Sequence, residues 1–121
     1  MIEGGINFRV PERTLLLIYK LKASWDRTYR LEQGNSKNPL YLQGKVVKDG
    51  SDVLALIDPD HGGTELDLNY LGQQFEELEF LRDHFATIPE QADSVKKYGR
   101  MDHKEARGIC DSILSLVKRI R

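Results

Sequence analysis

Apolar residues recur at spacings of three and four over three long stretches of the chain, a pattern typical of helices that bury one face. The most regular stretch is residues 64–88, and residues 102–120 follow the same pattern. A third stretch, residues 12–31, begins just after Pro11, which suits the first turn of a helix. We therefore predict a mainly α fold, a small bundle of three to four helices.

Residues at the ends of these stretches support the helix boundaries. Thr64 can cap the second long helix, and Pro89 forces the chain to turn after it. Asp102 and Glu105 have the spacing of a reciprocal N-terminal cap for the last helix. Residues 90–98 indicate a short helix that ends at Gly99.

Residues 34–63 leave two interpretations open. Asp49-Gly50 between apolar runs is a strong short-range hairpin signal, and it predicts a short β-hairpin at about residues 44–57 within an irregular insert. In the helical alternative, Asn38 caps a helix, Pro39 opens it and Gly50 ends it. The apolar runs are too short to decide between the two.

A chain of 121 residues suits one domain over residues 1–121, with residues 1–10 as a flexible arm. Cys110 is the only cysteine, which excludes an internal disulfide and favours a reducing compartment. We expect Cys110 to pack as a small buried residue. No apolar run approaches the ~20 residues that span a bilayer, so we expect a cytoplasmic protein without membrane contact.

Charge is strongly segregated along the chain, although the net charge is only −1. Residues 51–90 carry −9, and the segments on either side, 1–50 and 91–121, carry +4 each. Either the acidic segment packs between the basic ones, or it forms a surface for a basic partner protein or a second copy of the chain. The proposed partner-binding residues are Glu76, Glu77, Glu79 and Asp83.

Basic residues near the C-terminus raise a second hypothesis, binding or metal-independent cleavage of nucleic acid. His103 would move a proton and Arg100 would hold a phosphate. The candidate nucleic-acid contacts are Lys97, Arg100, Lys104 and Arg107. We interpret His84 and His103 as surface side chains, which leaves this hypothesis as the alternative.

Asp58, Asp60 and His61 are weak candidates for a metal site, because carboxylates and imidazole are common metal ligands. Their spacing matches no known metal loop, and Asp-Pro followed by Gly-Gly is typical of a polar turn. We predict no cofactor.

Trp25 lies on the apolar stripe of its helix, so we expect it in the core. No arrangement of catalytic residues stands out in the sequence. The sequence therefore favours a non-enzymatic protein-interaction or accessory module that acts through an acidic amphipathic helix.

Overall fold

The computed structural model describes residues 12–34 and 37–120, and the predicted flexible arm at residues 1–10 lies outside them. The prediction of a mainly α fold is confirmed. Among the described residues there are six α-helices, joined in part by short 3-10 turns, and there is no strand. The helices are α1 Glu12–Glu32, α2 Pro39–Ile57, α3 Leu68–Glu77, α4 Glu79–Thr87, α5 Ala92–Tyr98 and α6 His103–Ile120. The predicted three to four helices are therefore too few.

The β-hairpin predicted at residues 44–57 is wrong, because this segment belongs to α2. Asn38 caps the helix by accepting a hydrogen bond from the Tyr41 amide, and Pro39 occupies the first turn, as the helical alternative had it. That alternative is also wrong at one point, since α2 continues through Gly50 to Ile57.

Contacts with other helices explain why Asp49-Gly50 does not turn. Asp49 is buried and accepts a hydrogen bond from Arg27 of α1, at 2.5 Å. A Cβ at Gly50 would lie 2.3 Å from Ser94 Oγ, so only glycine allows α5 to pack this close to α2. Ser94 completes the contact by donating to the Val47 carbonyl oxygen.

The long helix predicted at residues 64–88 consists of two helices, α3 and α4, separated by Leu78. Leu78 departs from helical geometry, with φ −124° and ψ 76°, which redirects the chain between the two helices. The cap of α3 is Asp67, which accepts from the Tyr70 amide, whereas Thr64 lies in a preceding 3-10 turn. The break lets Phe75 of α3 and Phe85 of α4 meet in the core, with ring centroids 5.6 Å apart.

The predictions for the C-terminal part are confirmed. Asp102 and Glu105 form the reciprocal cap at the start of α6, each side chain accepting from the other residue's amide. Gly99 follows α5 in the left-handed conformation, with φ 74°.

Buried apolar side chains from all six helices form one cluster. Its largest fully buried members include Leu17, Leu54, Leu71 and Phe85. Cys110 lies in the same cluster, as predicted, and burial raises the pKa of its thiol to about 12. Within the described part of the chain, no helix is long and apolar enough to cross a membrane.

Candidate functional site

Three of the four proposed partner-binding residues lie at one groove. Glu76, Glu79 and Asp83 line it, between α3 and α4 on one side and α6 on the other. Its volume is about 570 Å³, and apolar side chains, among them Phe75 and Leu114, form its floor. We call it the acidic groove. Glu77 is exposed but is not among its lining residues.

Two basic side chains, Arg82 and Lys118, also line the acidic groove. Arg82 lies 3.3 Å from an Asp83 carboxylate oxygen and 3.9 Å from a Glu79 oxygen. All three side chains are largely exposed, so these ion pairs are weak and a competing cation can replace them.

A second depression lies on the other side of α4, where aromatic residues of α1 and α4 meet. Trp25 stacks on Tyr29 with a centroid distance of 5.3 Å, and Phe80 packs against Trp25 at 4.6 Å. The depression has a volume of about 320 Å³. We call it the aromatic pocket; the other side chains that line it are Thr28, Glu32, Asp83, His84 and Thr87.

Sequence reasoning missed the aromatic pocket, because it placed Trp25 in the core. Trp25 is only partly buried, and Tyr29 and Phe80 are 46% and 39% exposed. The spacing of four residues between Trp25 and Tyr29 is the signal that could have indicated a pair on one helix face. The contribution of Phe80 from a distant segment carries no such signal.

The interpretation of His84 as a surface side chain is wrong. His84 is buried, and its Nε2 lies 2.8 Å from the hydroxyl oxygen of Ser24, which is also buried. Burial lowers the pKa of His84 below its ordinary value, because the charged imidazolium loses its hydration. The imidazole is therefore neutral at pH 7.

We expect this burial to make the protein less stable in mild acid. The unfolded chain binds a proton at His84 at the ordinary pKa of about 6.5, whereas the folded chain resists it. The free energy of unfolding should therefore fall as the pH drops below about 6.5. The stability that protonation of His84 removes should be fully present above that pH. Urea denaturation followed by circular dichroism between pH 8 and pH 5 measures the slope. His84→Gln, which can still bond to Ser24, should flatten it, and an unchanged slope would contradict the assignment to His84.

The interpretation of His103 as a surface side chain is confirmed, and its Nε2 lies 3.0 Å from Glu90 Oε2. Arg107 donates to the same Glu90 oxygen at 2.9 Å and to the Ala86 carbonyl oxygen at 2.8 Å. The hydrogen bonds from His103 and Arg107 to Glu90 lower the pKa of the Glu90 carboxyl. Arg107 is thus already engaged within the protein, which reduces what it can offer to a phosphate.

Three other basic candidates, Lys97, Arg100 and Lys104, are exposed. The turn at Gly99 separates α5 from α6, so the set does not follow one continuous helix face. The charge of Arg100 acts on Asp58, whereas His103 pairs with Glu90. Nucleic-acid binding or cleavage by these residues stays a prediction.

Asp58, one of the weak metal candidates, has both carboxylate oxygens engaged. One accepts from the Asp60 amide at 2.9 Å, and the other accepts from the Tyr98 hydroxyl at 2.6 Å. Burial alone would raise the pKa of Asp58, but these two hydrogen bonds lower it. Burial and the bond to Asp58 raise the pKa of Tyr98 to about 12.

Asp60 and His61 are exposed in the same turn. In residues 12–34 and 37–120, no group of three or more His, Cys, Asp or Glu side chains is arranged to hold a metal ion. The geometry of Asp58 thus indicates a structural tie between the turn and α5.

No protein-family model matches the chain, and no curated protein or solved structure shows significant similarity to it.

Proposed function

We propose that the protein is a non-enzymatic interaction module that binds a basic partner protein at the acidic groove. The observation that supports this most directly is the convergence of Glu76, Glu79 and Asp83 on a groove with an apolar floor. Apolar contact with a rim of charge opposite to the partner's is the usual chemistry of a selective protein interface.

The charges of the groove favour a cationic partner. The groove is lined by three carboxylates and two cations, Arg82 and Lys118. In addition, α4 belongs to the most acidic part of the chain. An amphipathic helix with cations on its polar edge would place apolar side chains near Phe75 and Leu114 while its cations reach the rim. The same surface would serve a second copy of the chain if one of the basic segments provides the contact.

The proposal is tested with a fluorescein-labelled amphipathic helical peptide that carries arginine and lysine on its polar face. We expect its anisotropy to rise with protein concentration and its affinity to fall with added salt. The triple variant Glu76→Lys, Glu79→Lys and Asp83→Lys should weaken binding by about tenfold or more, because it replaces attraction with repulsion.

A matched variant separates this surface from general charge. Asp60→Lys, Glu65→Lys and Asp93→Lys change the net charge by the same amount at exposed positions that do not line the groove. This variant should lose no more than about threefold in affinity. Equal losses in both variants would show non-specific attraction and reject the proposal, as would unchanged binding by the groove variant. Light scattering of wild type and the groove variant reports whether self-association uses the same surface.

A further inference from the structure

We propose that the aromatic pocket binds the guanidinium group of an arginine side chain on the basic partner. This inference rests on the proposed function for its partner, and it adds the residue type that anchors the contact. The pocket is formed by Trp25, Tyr29 and Phe80 together with Glu32 and Asp83.

The aromatic rings provide the planar surface that a guanidinium needs. Trp25 and Tyr29 lie nearly parallel, with an interplanar angle of 15°, and Phe80 is tilted by 50° from Trp25. Because Tyr29 and Phe80 remain exposed by more than a third, their rings are open to a ligand. Cations are attracted to aromatic faces, and arginine also stacks on them through its own planar group.

Two exposed carboxylates complement the charge of the ligand. Glu32 and Asp83 lie at the same pocket from opposite helices, α1 and α4. A guanidinium offers five N–H donors in a fixed fork, so it can stack on a ring while its N–H groups donate to a carboxylate at the rim. A lysine ammonium is a compact point charge without the planar face.

Thr28, which lines the pocket, carries an acceptor without a donor. Thr28 Oγ1 is buried and has no hydrogen-bond partner among the described residues. A buried hydroxyl without a partner costs free energy, and a guanidinium N–H would satisfy it once the ligand has displaced the atoms that cover this oxygen. His84, which also lines the pocket, is neutral at pH 7, so it does not repel a cation there.

Arg82 competes for one of the carboxylates, because it lies 3.3 Å from Asp83. Both side chains are largely exposed, so the pair is screened and exchangeable. Asp83 also lines the acidic groove, which makes the pocket and the groove neighbours across α4. A partner helix seated in the groove could therefore extend one arginine over α4 into the pocket.

The test uses Nα-acetyl-arginine-methylamide as the probe and the intrinsic fluorescence of Trp25, the only tryptophan of the chain. We expect a saturable change in emission with a dissociation constant of about 1–10 mM, the range for a single stacked and charge-paired group. The corresponding citrulline compound has the same shape without the charge and should bind at least about tenfold more weakly.

Four variants and one control assign the binding to this pocket. Asp83→Asn and Glu32→Gln preserve shape and should each weaken binding about fivefold. Arg82→Ala removes the competitor and should tighten it. Thr28→Val removes the unpartnered hydroxyl, so it should raise the denaturation midpoint of the free protein and still weaken binding about threefold. Tyr19→Leu changes an exposed aromatic of α1 that does not line the pocket, and it should leave binding unchanged.

Three outcomes would overturn the inference: no saturable emission change, equal binding of the citrulline or corresponding lysine compound, or an equal loss in Tyr19→Leu. If the arginine compound fails to bind while the groove variant still loses the basic peptide, this inference falls and the proposed function stands. If the compound binds with the expected variant pattern while both peptide variants behave alike, the pocket is supported and the proposed function is rejected.

Discussion

Gly63→Ala is expected to lower the free energy of unfolding by about 2–4 kcal/mol, because the added methyl group meets backbone rather than side chain. A Cβ at Gly63 would lie 2.2 Å from the carbonyl oxygen of Ile57 and 2.5 Å from its carbonyl carbon. The Gly63 amide also donates to the Asp58 carbonyl oxygen at 2.8 Å, which holds the turn tightly against the end of α2. Relief of the clash would therefore break the turn, and urea denaturation followed by circular dichroism measures the loss.

Gly44→Ala is the control for this experiment. Gly44 lies inside α2, and apart from the backbone of its own helix and its two chain neighbours a Cβ there would meet no atom within 4 Å. Alanine should stabilise that helix by about 0.5–1 kcal/mol, because glycine is the poorer helix former. If Gly63→Ala and Gly44→Ala shifted the denaturation midpoint in the same direction, the close approach at Gly63 would be contradicted.

The polar turn at residues 58–63 was predicted from Asp-Pro and Gly-Gly, and the structure shows why local chemistry sufficed there. Asp58 caps the turn through the Asp60 amide, a contact between residues two apart. The cap of α6 was predicted for the same reason, and so was the Asn38 cap of α2 in the helical alternative, since the partners lie within three residues. Local hydrogen bonds depend on local sequence, and the sequence is enough to identify them.

The errors arose where distant contacts override local preference. The Asp49-Gly50 pair suits a hairpin by itself, but Arg27 and Ser94 lie on other helices and fix both residues within α2. The break at Leu78 has no local signal, because the apolar spacing continues through it from α3 into α4. The apolar spacing therefore predicted correctly that the acidic stretch at residues 64–88 is helical, but it could not show where that stretch bends.

The candidate site divides in the same way. Glu76, Glu79 and Asp83 were chosen from charge within one segment, and the end of α3 and the start of α4 bring them to one groove. The aromatic pocket combines Trp25 with Phe80, two residues from helices whose packing no local pattern specifies. The packing of the helices decides which exposed aromatic residues meet, and the local spacing of residues in one sequence does not reveal that packing.

Arg27→Met is expected to destabilise the protein by about 2–3 kcal/mol, because it strands the buried carboxylate of Asp49. The Arg27 side chain is 31% exposed and that of Asp49 only 3%. Loss of the arginine therefore leaves a charge without hydration, whereas loss of the carboxylate leaves an arginine that can still reach water. The partial exposure of Arg27 places the expected cost below the about 3–5 kcal/mol typical of breaking a fully buried pair. Urea denaturation of both single variants measures this asymmetry.

Asp49→Asn should cost less than Arg27→Met, and the double variant should cost less than the sum of the two, since the neutral amide needs no counter-charge. Arg30→Met is the matched control, because Arg30 pairs with Asp26 on the exposed face of the same helix, and it should cost under about 0.5 kcal/mol. Strict additivity in the double variant, or a deficit in Arg27→Met no larger than in Arg30→Met, would show that the pair does not tie α1 to α2. If the double variant instead costs less than the sum of the two single variants, this ion pair holds Asp49 inside a helix at a point where the local sequence favours a turn.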